Sequence, residues 1–464
     1  MSANEDDELC DLFERLVDLK TPKTAFLRLG LSQAQEEEEK TLTTSLPEIL
    51  SGMYSADLTR ILMATKSLQR MLTRESNLSK DEIIEAGLLT PLVTFLGCDY
   101  DGEHLIQDEA VWALTTIASG TSQQRHAVVQ AGAVPQLIRL LASPHVAIVH
   151  DCVWTLGKII SDEAELRDFV IESGILPPLM RLVDVNAPPD FLGTVAWVIS
   201  TLCRNNKSPP KLEAINACLL PLRMLIRHTD YDVLSYTCYA LYWVVNCSRD
   251  LIRVVTSPDI LPRLVELLGT PEPLVIIPAL QTIAKIIDVD ESQLQTVIDT
   301  KVLQMLPAFL QHTNVDIKKL ACWLLANIAR GSPEQIQAVI NCNLLPLVVE
   351  VLNTGDVKSQ RQAVWVIIGL TKRGTLEHII YVVQCGALKS LCDLLTTKEA
   401  TLLYDVLHGI FSVLKATNKF GQAEYLYVML KEIGGLDKIE KLENHQNYGV
   451  KYKAYNIIHK FLSR

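Results

Sequence analysis

Apolar residues recur in blocks that share one pattern, in which a glycine or its substitute precedes a helical stripe. Four clear copies are V-V-Q-A-G-A-V-P-Q-L-I-R-L-L (128–141), V-I-E-S-G-I-L-P-P-L-M-R-L-V (170–183), I-I-E-A-G-L-L-T-P-L-V-T-F-L (83–96) and V-V-Q-C-G-A-L-K-S-L-C-D-L-L (382–395). The L-x-x-L-L spacing places apolar side chains on one face of a helix. Gly132 and Gly174 are 42 residues apart, and Asn343, in the glycine position of a weaker copy, precedes Gly386 by 43. The chain therefore repeats about every 42 residues.

The residue pattern of each repeat predicts two or three helices. A short helix ends near the glycine, which tolerates positive φ, and a proline often opens the next helix. A longer apolar pattern with a tryptophan fills the space between blocks, and no strand pattern occurs. Units of this length fit the HEAT/armadillo class and not the tetratricopeptide class of roughly 34 residues. We predict an all-α fold, an armadillo-repeat α-solenoid of about nine to ten repeats that forms a right-handed superhelix with a concave groove over residues 46–464.

Residues 1–45 have a different composition from the repeats. They contain E-D-D-E and E-E-E-E, with eleven acidic residues against five basic ones. Charge-rich segments of this kind are usually solvated. We predict a separate acidic N-terminal arm that is flexible or partly helical.

Composition excludes several classes of protein. Hydrophobic residues make up 48% of the 464, enough for a large core, and the net charge of −11 disfavours nucleic acid or anionic membranes as partners. No apolar run approaches the roughly 18 residues of a membrane-spanning helix, and the N-terminus lacks a signal peptide's apolar segment. Eleven scattered cysteines without a C-x-x-C pair indicate reduced thiols in a nucleocytoplasmic protein, in preference to disulfides or zinc.

The sequence predicts no enzymatic activity. It contains no Walker loop, no G-x-S-x-G and no His/Cys cluster with the spacing of metal ligands. We therefore expect no catalytic residues, no metal and no cofactor.

Tryptophans recur with the repeat period. Trp112 and Trp154 are 42 residues apart, Trp154 and Trp197 are 43 apart, and Trp323 and Trp365 are 42 apart. Since other apolar positions already supply a core stripe, we expect the indoles to project beside it into the concave groove. A row of rings there would offer slots for aliphatic stems and π-faces for cations. The alternative is that each indole fills a recurring core pocket.

The motifs around the tryptophans resemble those of the importin-α (karyopherin-α) family. The carriers are A-V-W-A-L-T-T-I-A-S-G-T-S (110–122), T-L-C-R-N (201–205), A-C-W-L-L-A-N-I-A-R-G (321–331) and G-G-L-D-K-I-E-K-L-E-N-H (434–445). The resemblance implies an armadillo adaptor that moves between cytoplasm and nucleus and binds Lys/Arg-rich nuclear localisation signals for nuclear import. In the family's W-x-x-x-N motif, the indoles sandwich cargo lysine or arginine stems and the asparagine pairs with the cargo backbone.

The resemblance also implies two peptide sites on this chain. The early repeats carry the major site, at Trp112, Thr116, Ser119, Gly120, Arg125, Trp154, Lys158, Asp162, Trp197 and Thr201. The later repeats carry the minor site, at Tyr239, Trp243, Asp288, Trp323, Asn327 and Trp365.

The chain departs from the family four residues after most tryptophans. Thr116, Lys158 and Thr201 stand where the family carries asparagine, while Asn327 is retained. Arg125 stands where the family carries threonine. We hypothesise that the major site is partly self-occupied, with Asp162 neutralised by Lys158 and Arg125; alternatively, both basic side chains swing into solvent. The minor site is then the better candidate for binding basic peptides, and cargo specificity is altered.

The partners follow from the same comparison. Residues 1–45 lack the basic cluster with which the family binds importin-β, so recruitment by that route is not expected. The C-terminal motif is similar to the repeats that meet the nuclear export receptor, and implies that partner by resemblance alone. The alternative function is an armadillo scaffold that has lost signal recognition and binds other proteins or competes for transport factors.

Overall fold

The computed structural model describes residues 45–73, 79–97, 104–205, 208–421 and 423–462. It divides into two compact units, residues 1–116 and 117–464. Residues 1–44 of the predicted acidic arm lie outside the described residues. The extent and structure of the arm therefore stay a prediction.

In unit 1 the described residues form helices whose starts follow from local capping. They are α1 (Leu46–Met53), α2 (Leu58–Thr73), α3 (Lys80–Glu85), α4 (Leu89–Leu96) and α5 (His104–Ala118), the last of which runs two residues beyond the unit's end. Ser79 and Glu82 form a capping box at α3, with the Glu82 carboxylate accepting from the Ser79 backbone N–H at 2.8 Å. Fully buried Ile49, Leu68 and Leu92 belong to the unit's core.

In unit 2 one or two shorter helices precede each long helix. The described residues form α6 (Ser122–Gln130), α7 (Ala133–Leu140), α8 (Val146–Ile160), α9 (Ala164–Glu172), α10 (Leu176–Arg181), α11 (Pro189–Cys203), α12 (Leu212–Leu225), α13 (Tyr231–Cys247), α14 (Arg249–Val255), α15 (Leu261–Leu267), α16 (Pro273–Val289), α17 (Leu294–Asp299), α18 (Leu306–Leu310), α19 (Val315–Ile328), α20 (Pro333–Asn341), α21 (Leu345–Thr354), α22 (Val357–Arg373), α23 (Leu376–Gln384), α24 (Ala387–Leu394), α25 (Ala400–Lys419), α26 (Ala423–Glu432), α27 (Gly435–Leu442) and α28 (Tyr448–Ile457). Two 3₁₀ turns (Glu291–Gln293 and Val302–Gln304) and a C-terminal π-helical turn (Ile458–Leu462) complete it.

At several repeats the glycine position ends one helix and begins the next, as predicted, whereas in α12 the two helices run on as one. Gly132 separates α6 from α7 with φ 85°, and Gly174 adopts φ 92° between α9 and α10. The substitute, Asn343, adopts φ 51° between α20 and α21. Asparagine tolerates this left-handed conformation better than other residues with a side chain, which explains how that repeat keeps the turn without glycine.

The long helices stack on one another in sequence order. In unit 2, α8 packs on α11, α11 on α13, α13 on α16, α16 on α19, α19 on α22, α22 on α25, and α25 on α28. We call them the third helices, because each follows the shorter helices of its repeat. Their apolar sides are fully buried at positions such as Val153, Leu241 and Ile283, each contributing roughly 1.5–3 kcal/mol. The third helices set the positions of the candidate site.

The described residues form no single membrane-spanning helix, and their cysteines are free thiols. No single helix of the described segments is long and apolar enough to cross a membrane; only the pair Pro333–Asn341 and Leu345–Thr354, bent by 75°, reaches that length together. The nine cysteines of the described residues are free. Burial raises the pKa of the Cys322 and Cys392 thiols to about 12, so they remain protonated and unreactive.

Candidate peptide-binding ladder

The third helices place the predicted aromatic residues in one register. The ladder position is the residue that aligns with the tryptophan of each repeat; in unit 2 it is held by Trp154, Trp197, Tyr239, Gln281, Trp323 and Trp365. His408, which was not among the predicted site residues, lies 43 residues after Trp365 on the next third helix. The repeat period was the signal that could have found it. In unit 1, Trp112 is half-buried on α5.

The prediction that all these indoles face an open groove is wrong at four positions. Trp154, Trp197, Trp243 and Trp323 are 8%, 1%, 1% and 6% exposed, whereas Trp365 is 38% exposed. The third helices approach one another closely enough for the rings to be enclosed between them. The core-filling alternative therefore describes most of the ladder, and Trp365 is its open position in unit 2.

The first two indoles in unit 2 contact each other at a tilt. The ring centres of Trp154 and Trp197 are 4.6 Å apart, at an angle of 41°. Trp197 lies directly on the backbone of α8 at Gly157, where a Cβ atom would collide with the ring. A glycine is required at this position because the aromatic ring occupies the space of a side chain.

Lys158 lies over both of these rings. Its Nζ atom is 5.2 Å from the centre of Trp154 and 5.8 Å from the centre of Trp197. Both distances are within the range of cation–π attraction. The chain thus supplies its own ammonium group to the aromatic pair that the resemblance assigns to a cargo cation.

The predicted contact between Arg125 and Asp162 is confirmed. An Nη2 of Arg125 on α6 lies 2.6 Å from an Asp162 carboxylate oxygen and 3.6 Å from Glu163, while Nη1 donates to the Gly120 carbonyl at 2.9 Å. Arg125 is 8% exposed, although the Asp162 side chain is 44% exposed. A buried guanidinium thus occupies one side of the carboxylate. We call Trp154, Lys158 and Trp197, with Arg125 and Asp162, the early ladder.

The threonines at the amide positions bond to their own helices. The Thr201 hydroxyl donates to the Trp197 carbonyl at 2.9 Å and, in unit 1, the Thr116 hydroxyl donates to the Trp112 carbonyl at 3.1 Å. Thr201 is 1% exposed, whereas Ser119 is exposed. Neither threonine reproduces the two-ended hydrogen bonding of an asparagine amide.

The middle of the array is closed by side chains. Tyr239 and Trp243 are buried on α13, and burial raises the pKa of the Tyr239 phenol. Lys285 on α16 places Nζ 6.0 Å from the centre of the Tyr242 ring and is 9% exposed. The Gln281 side-chain oxygen is buried without a hydrogen-bond partner among the described residues. A second lysine therefore repeats the arrangement of Lys158.

The later repeats retain the asparagine, but its side-chain amide bonds to the neighbouring third helix. Asn327 donates from Nδ2 to the Ala284 carbonyl of the preceding third helix at 3.2 Å, and is 4% exposed. The Trp323 ring N–H is buried and has no acceptor among the described residues. Since an asparagine amide has a second N–H and an acceptor oxygen, this bond uses part of its capacity. We call Trp323, Asn327 and Trp365, with Asp288, the late ladder.

Acidic groups beside the late ladder have loosely held partners. Arg330 lies 3.7 Å from Asp288, and Arg373 lies 3.9 Å from Glu291. The side chains of Arg330 and Arg373 are 41% and 53% exposed. Exposed pairs at such distances contribute about 0–1 kcal/mol and are readily exchanged.

Trp365 is open because its neighbours pack beside it and not over it. Its ring meets His408 edge-on, with 5.5 Å between ring centres. Gly369, one turn later at the amide position, faces Ala329 at the C-terminal end of α19, where an added Cβ would lie 2.9 Å from the Ala329 methyl group. The close approach at Gly369 excludes an amide there, so this repeat offers an indole face alone.

Comparisons with known proteins assign the repeats. The Armadillo/beta-catenin-like repeat family matches residues 76–119, 121–161, 164–204, 290–330 and 332–367, and the Atypical Arm repeat matches 424–464. A crystal structure of an engineered protein, 22% identical, superimposes with a TM-score of 0.79 over 91% of this chain and 100% of its own. The predicted fold is confirmed: it is an all-α armadillo-repeat solenoid.

Relatives along nearly the whole chain identify the family. The chain is 35% identical to importin subunit alpha-3 of Arabidopsis thaliana, covering 94% of this chain and 84% of the relative. It is 36% identical to importin subunit alpha-4 of the same plant (90% and 78% covered) and 35% identical to importin subunit alpha-8 of Mus musculus (91% and 84% covered). The protein belongs to the importin-α family of armadillo-repeat transport adaptors. The family is non-enzymatic, in agreement with the sequence-based expectation.

Proposed function

We propose that the protein is a nuclear import adaptor that binds Lys/Arg-rich nuclear localisation signals along its third helices, in cytoplasm and nucleus. The observation that carries the proposal is the similarity to importin α subunits over about nine-tenths of the chain. The retained ladder register, from Trp154 to Trp365, supports it.

Within this function, we assign the basic segment primarily to the late ladder. Trp365 offers an exposed ring for a cationic stem, and Asp288 is held only by a distant, exposed arginine. Incoming lysine or arginine can replace Arg330 at little cost, because exposed ion pairs exchange with solvent ions. Enclosed Trp323 serves as the wall behind the peptide and not as an open slot.

The early ladder is self-occupied in this proposal. A cargo lysine would have to displace Lys158 from two indoles and compete with Arg125 for Asp162. Two unit charges about 4 Å apart repel by ~1 kcal/mol in water and ~4 kcal/mol at an effective dielectric of 20. Cargo specificity is therefore shifted away from signals that depend on a lysine in the early repeats.

Importin-β and an export receptor complete the proposed set of partners. Family membership supports importin-β as a partner, although residues 1–45 contain no basic cluster for the usual route. The export receptor would meet the C-terminal repeats, where the sequence motif of residues 434–445 forms α27 and the turn that follows it.

Titration of a fluorescent Lys/Arg-rich peptide tests the function. The full chain should bind it with an affinity that falls as salt rises, and Trp365→Ala should weaken binding by about thirtyfold, as for an aromatic hot spot. Tyr448→Ala, which removes an exposed ring on α28, serves as the control and should leave the affinity unchanged. Absence of salt-dependent binding would favour the alternative, a scaffold that has lost signal recognition.

A further inference from the structure

Basic and aromatic side chains cluster where the last three third helices pack together. α22 packs on α25, and α25 packs on α28, which continues into the π-helical turn. Lys372 and Lys453 act electrostatically on His408, and Lys453 and Lys460 lie over the nearby ring of Phe411. We call them the C-terminal basic-aromatic cluster: Lys372, His408, Phe411, Lys453, Lys460 and Phe461.

Two ammonium groups of the cluster rest on rings. Lys453 Nζ lies 4.3 Å from the centre of Phe411, and Lys460 Nζ lies 5.6 Å from Phe411 and 5.8 Å from Phe461. The two phenyl rings meet edge-on, 5.3 Å apart. These contacts hold the cations in place and leave their N–H donors available, because a π-face accepts no conventional hydrogen bond.

The cluster's positive charge is not neutralised by the chain around it. Within the described segments, Lys372, Lys453 and Lys460 form no ion pair with a carboxylate. Asp405 raises the pKa of His408. Its carboxylate is already bound by Arg361 at 2.9 Å, and its side chain is 8% exposed. Glu443 lies 3.9 Å from His459 of the π-helical turn.

His408 contributes an aromatic ring to the cluster but little positive charge at neutral pH. Burial is the main cause that lowers the pKa of its imidazole, and Lys453 and Lys372 lower the pKa further, against a raising effect of Asp405. Its ordinary pKa is about 6.5, so the ring is neutral at pH 7. Burial also lowers the pKa of Lys453. The cluster at neutral pH is thus a neutral aromatic floor edged by three ammonium groups.

We propose that the C-terminal basic-aromatic cluster docks an acidic linear peptide segment, with glutamate or aspartate side chains on the lysines that Phe411 and Phe461 hold in place. Charge complementarity selects this partner. A nucleic acid or an anionic membrane presents a large negative surface, which the protein's net charge of −11 repels at long range. A short acidic segment meets the local positive patch without facing the rest of the molecule.

A binding measurement on the full chain with a probe of opposite charge separates this inference from basic-peptide binding, since the cluster adjoins Trp365 through His408. The probe is a fluorescently labelled peptide in which Glu alternates with Gly, and its binding is measured by fluorescence anisotropy. We expect Lys453→Gln combined with Lys460→Gln to weaken binding about tenfold, and Lys372→Gln alone about threefold. Lys451→Gln removes the same charge from an exposed site on α28 outside the cluster and should have no effect.

Three outcomes would overturn the inference. One is equal affinity of the wild type and both cluster variants, with circular dichroism showing that all remain folded. Another is equal affinity for a peptide carrying Gln in place of Glu. The third is binding of single-stranded RNA or of phosphatidylserine vesicles through these lysines when the acidic peptide does not bind.

Discussion

The early and late ladders share a register but hold their cations differently. In the early ladder, Arg125 is buried and lies 2.6 Å from Asp162. Lys158 lies over the adjacent indoles of Trp154 and Trp197. In the late ladder, Arg330 is 41% exposed and lies 3.7 Å from Asp288, and the Trp365 face carries no lysine within the described residues. The same repeat thus builds a closed surface at one end and a more open one at the other.

The identity of the ring alone therefore does not decide whether a ladder position can hold a peptide side chain. Trp197 is retained in register yet is enclosed, because Gly157 lets its ring settle onto α8. Trp365 stays open because its neighbour His408 meets it by an edge. The residue one turn after each ring, and the gap between neighbouring helices, decide whether an indole stabilises the fold or faces a ligand.

The largest expected effect separates the two ladders by stability. Trp197→Ala should destabilise unit 2 by about 3–5 kcal/mol, since it empties a buried aromatic site. Trp365→Ala should cost less than about 1 kcal/mol because its ring is substantially exposed. Urea unfolding followed by circular dichroism measures both midpoints. Equal shifts for the two variants would contradict the assignment of structural and ligand-facing indoles.

A smaller change at Gly157 should disturb the early ladder alone. Gly157→Ala forces the Trp197 ring to move and should destabilise by about 1–3 kcal/mol. Gly193→Ala is the matched control, because its Cβ would lie 3.7 Å from the nearest side-chain atom and alanine favours the helix by roughly 0.5–1 kcal/mol. The two melting temperatures should move in opposite directions; a shared direction would argue against a close Trp197 contact.

Removing the internal cations should open the early ladder. Arg125→Thr combined with Lys158→Asn is expected to tighten binding of a lysine-rich peptide by about tenfold, because Asp162 and the indole pair become available. Calorimetric titration measures the gain. Arg181→Thr combined with Lys398→Asn removes the same charge from exposed positions and controls for net charge. A gain no larger than in this control would dismiss self-occupation.

The smallest effect is expected at the late ladder. Arg330→Gln frees Asp288 and should strengthen binding of the same peptide about twofold at low salt. The gain should disappear at high salt, because screening weakens exposed charge interactions. A gain as large as that of the early double variant would remove the contrast between the ladders.

The sequence predicted the fold and the register well, because both follow from local rules. The glycine positions and the apolar stripes defined the third helices, and of the two alternatives for Arg125 the structure shows the ion pair with Asp162. The burial of Trp154, Trp197, Trp243 and Trp323 was not predicted. Ring enclosure depends on the distance between adjacent helices, which glycines such as Gly157 set only once the helices are packed.

The most direct test of the account is to locate a bound basic peptide on the full chain. A lysine-rich peptide carrying a photoreactive group, cross-linked and mapped by mass spectrometry, should label residues of α19 and α22 around Trp323 and Trp365. The Arg125→Thr, Lys158→Asn variant should add labels on α8 and α11. Labelling of α8 and α11 in the unmodified protein, with α19 and α22 left unlabelled, would contradict the claim that the early ladder is occupied by the chain's own cations.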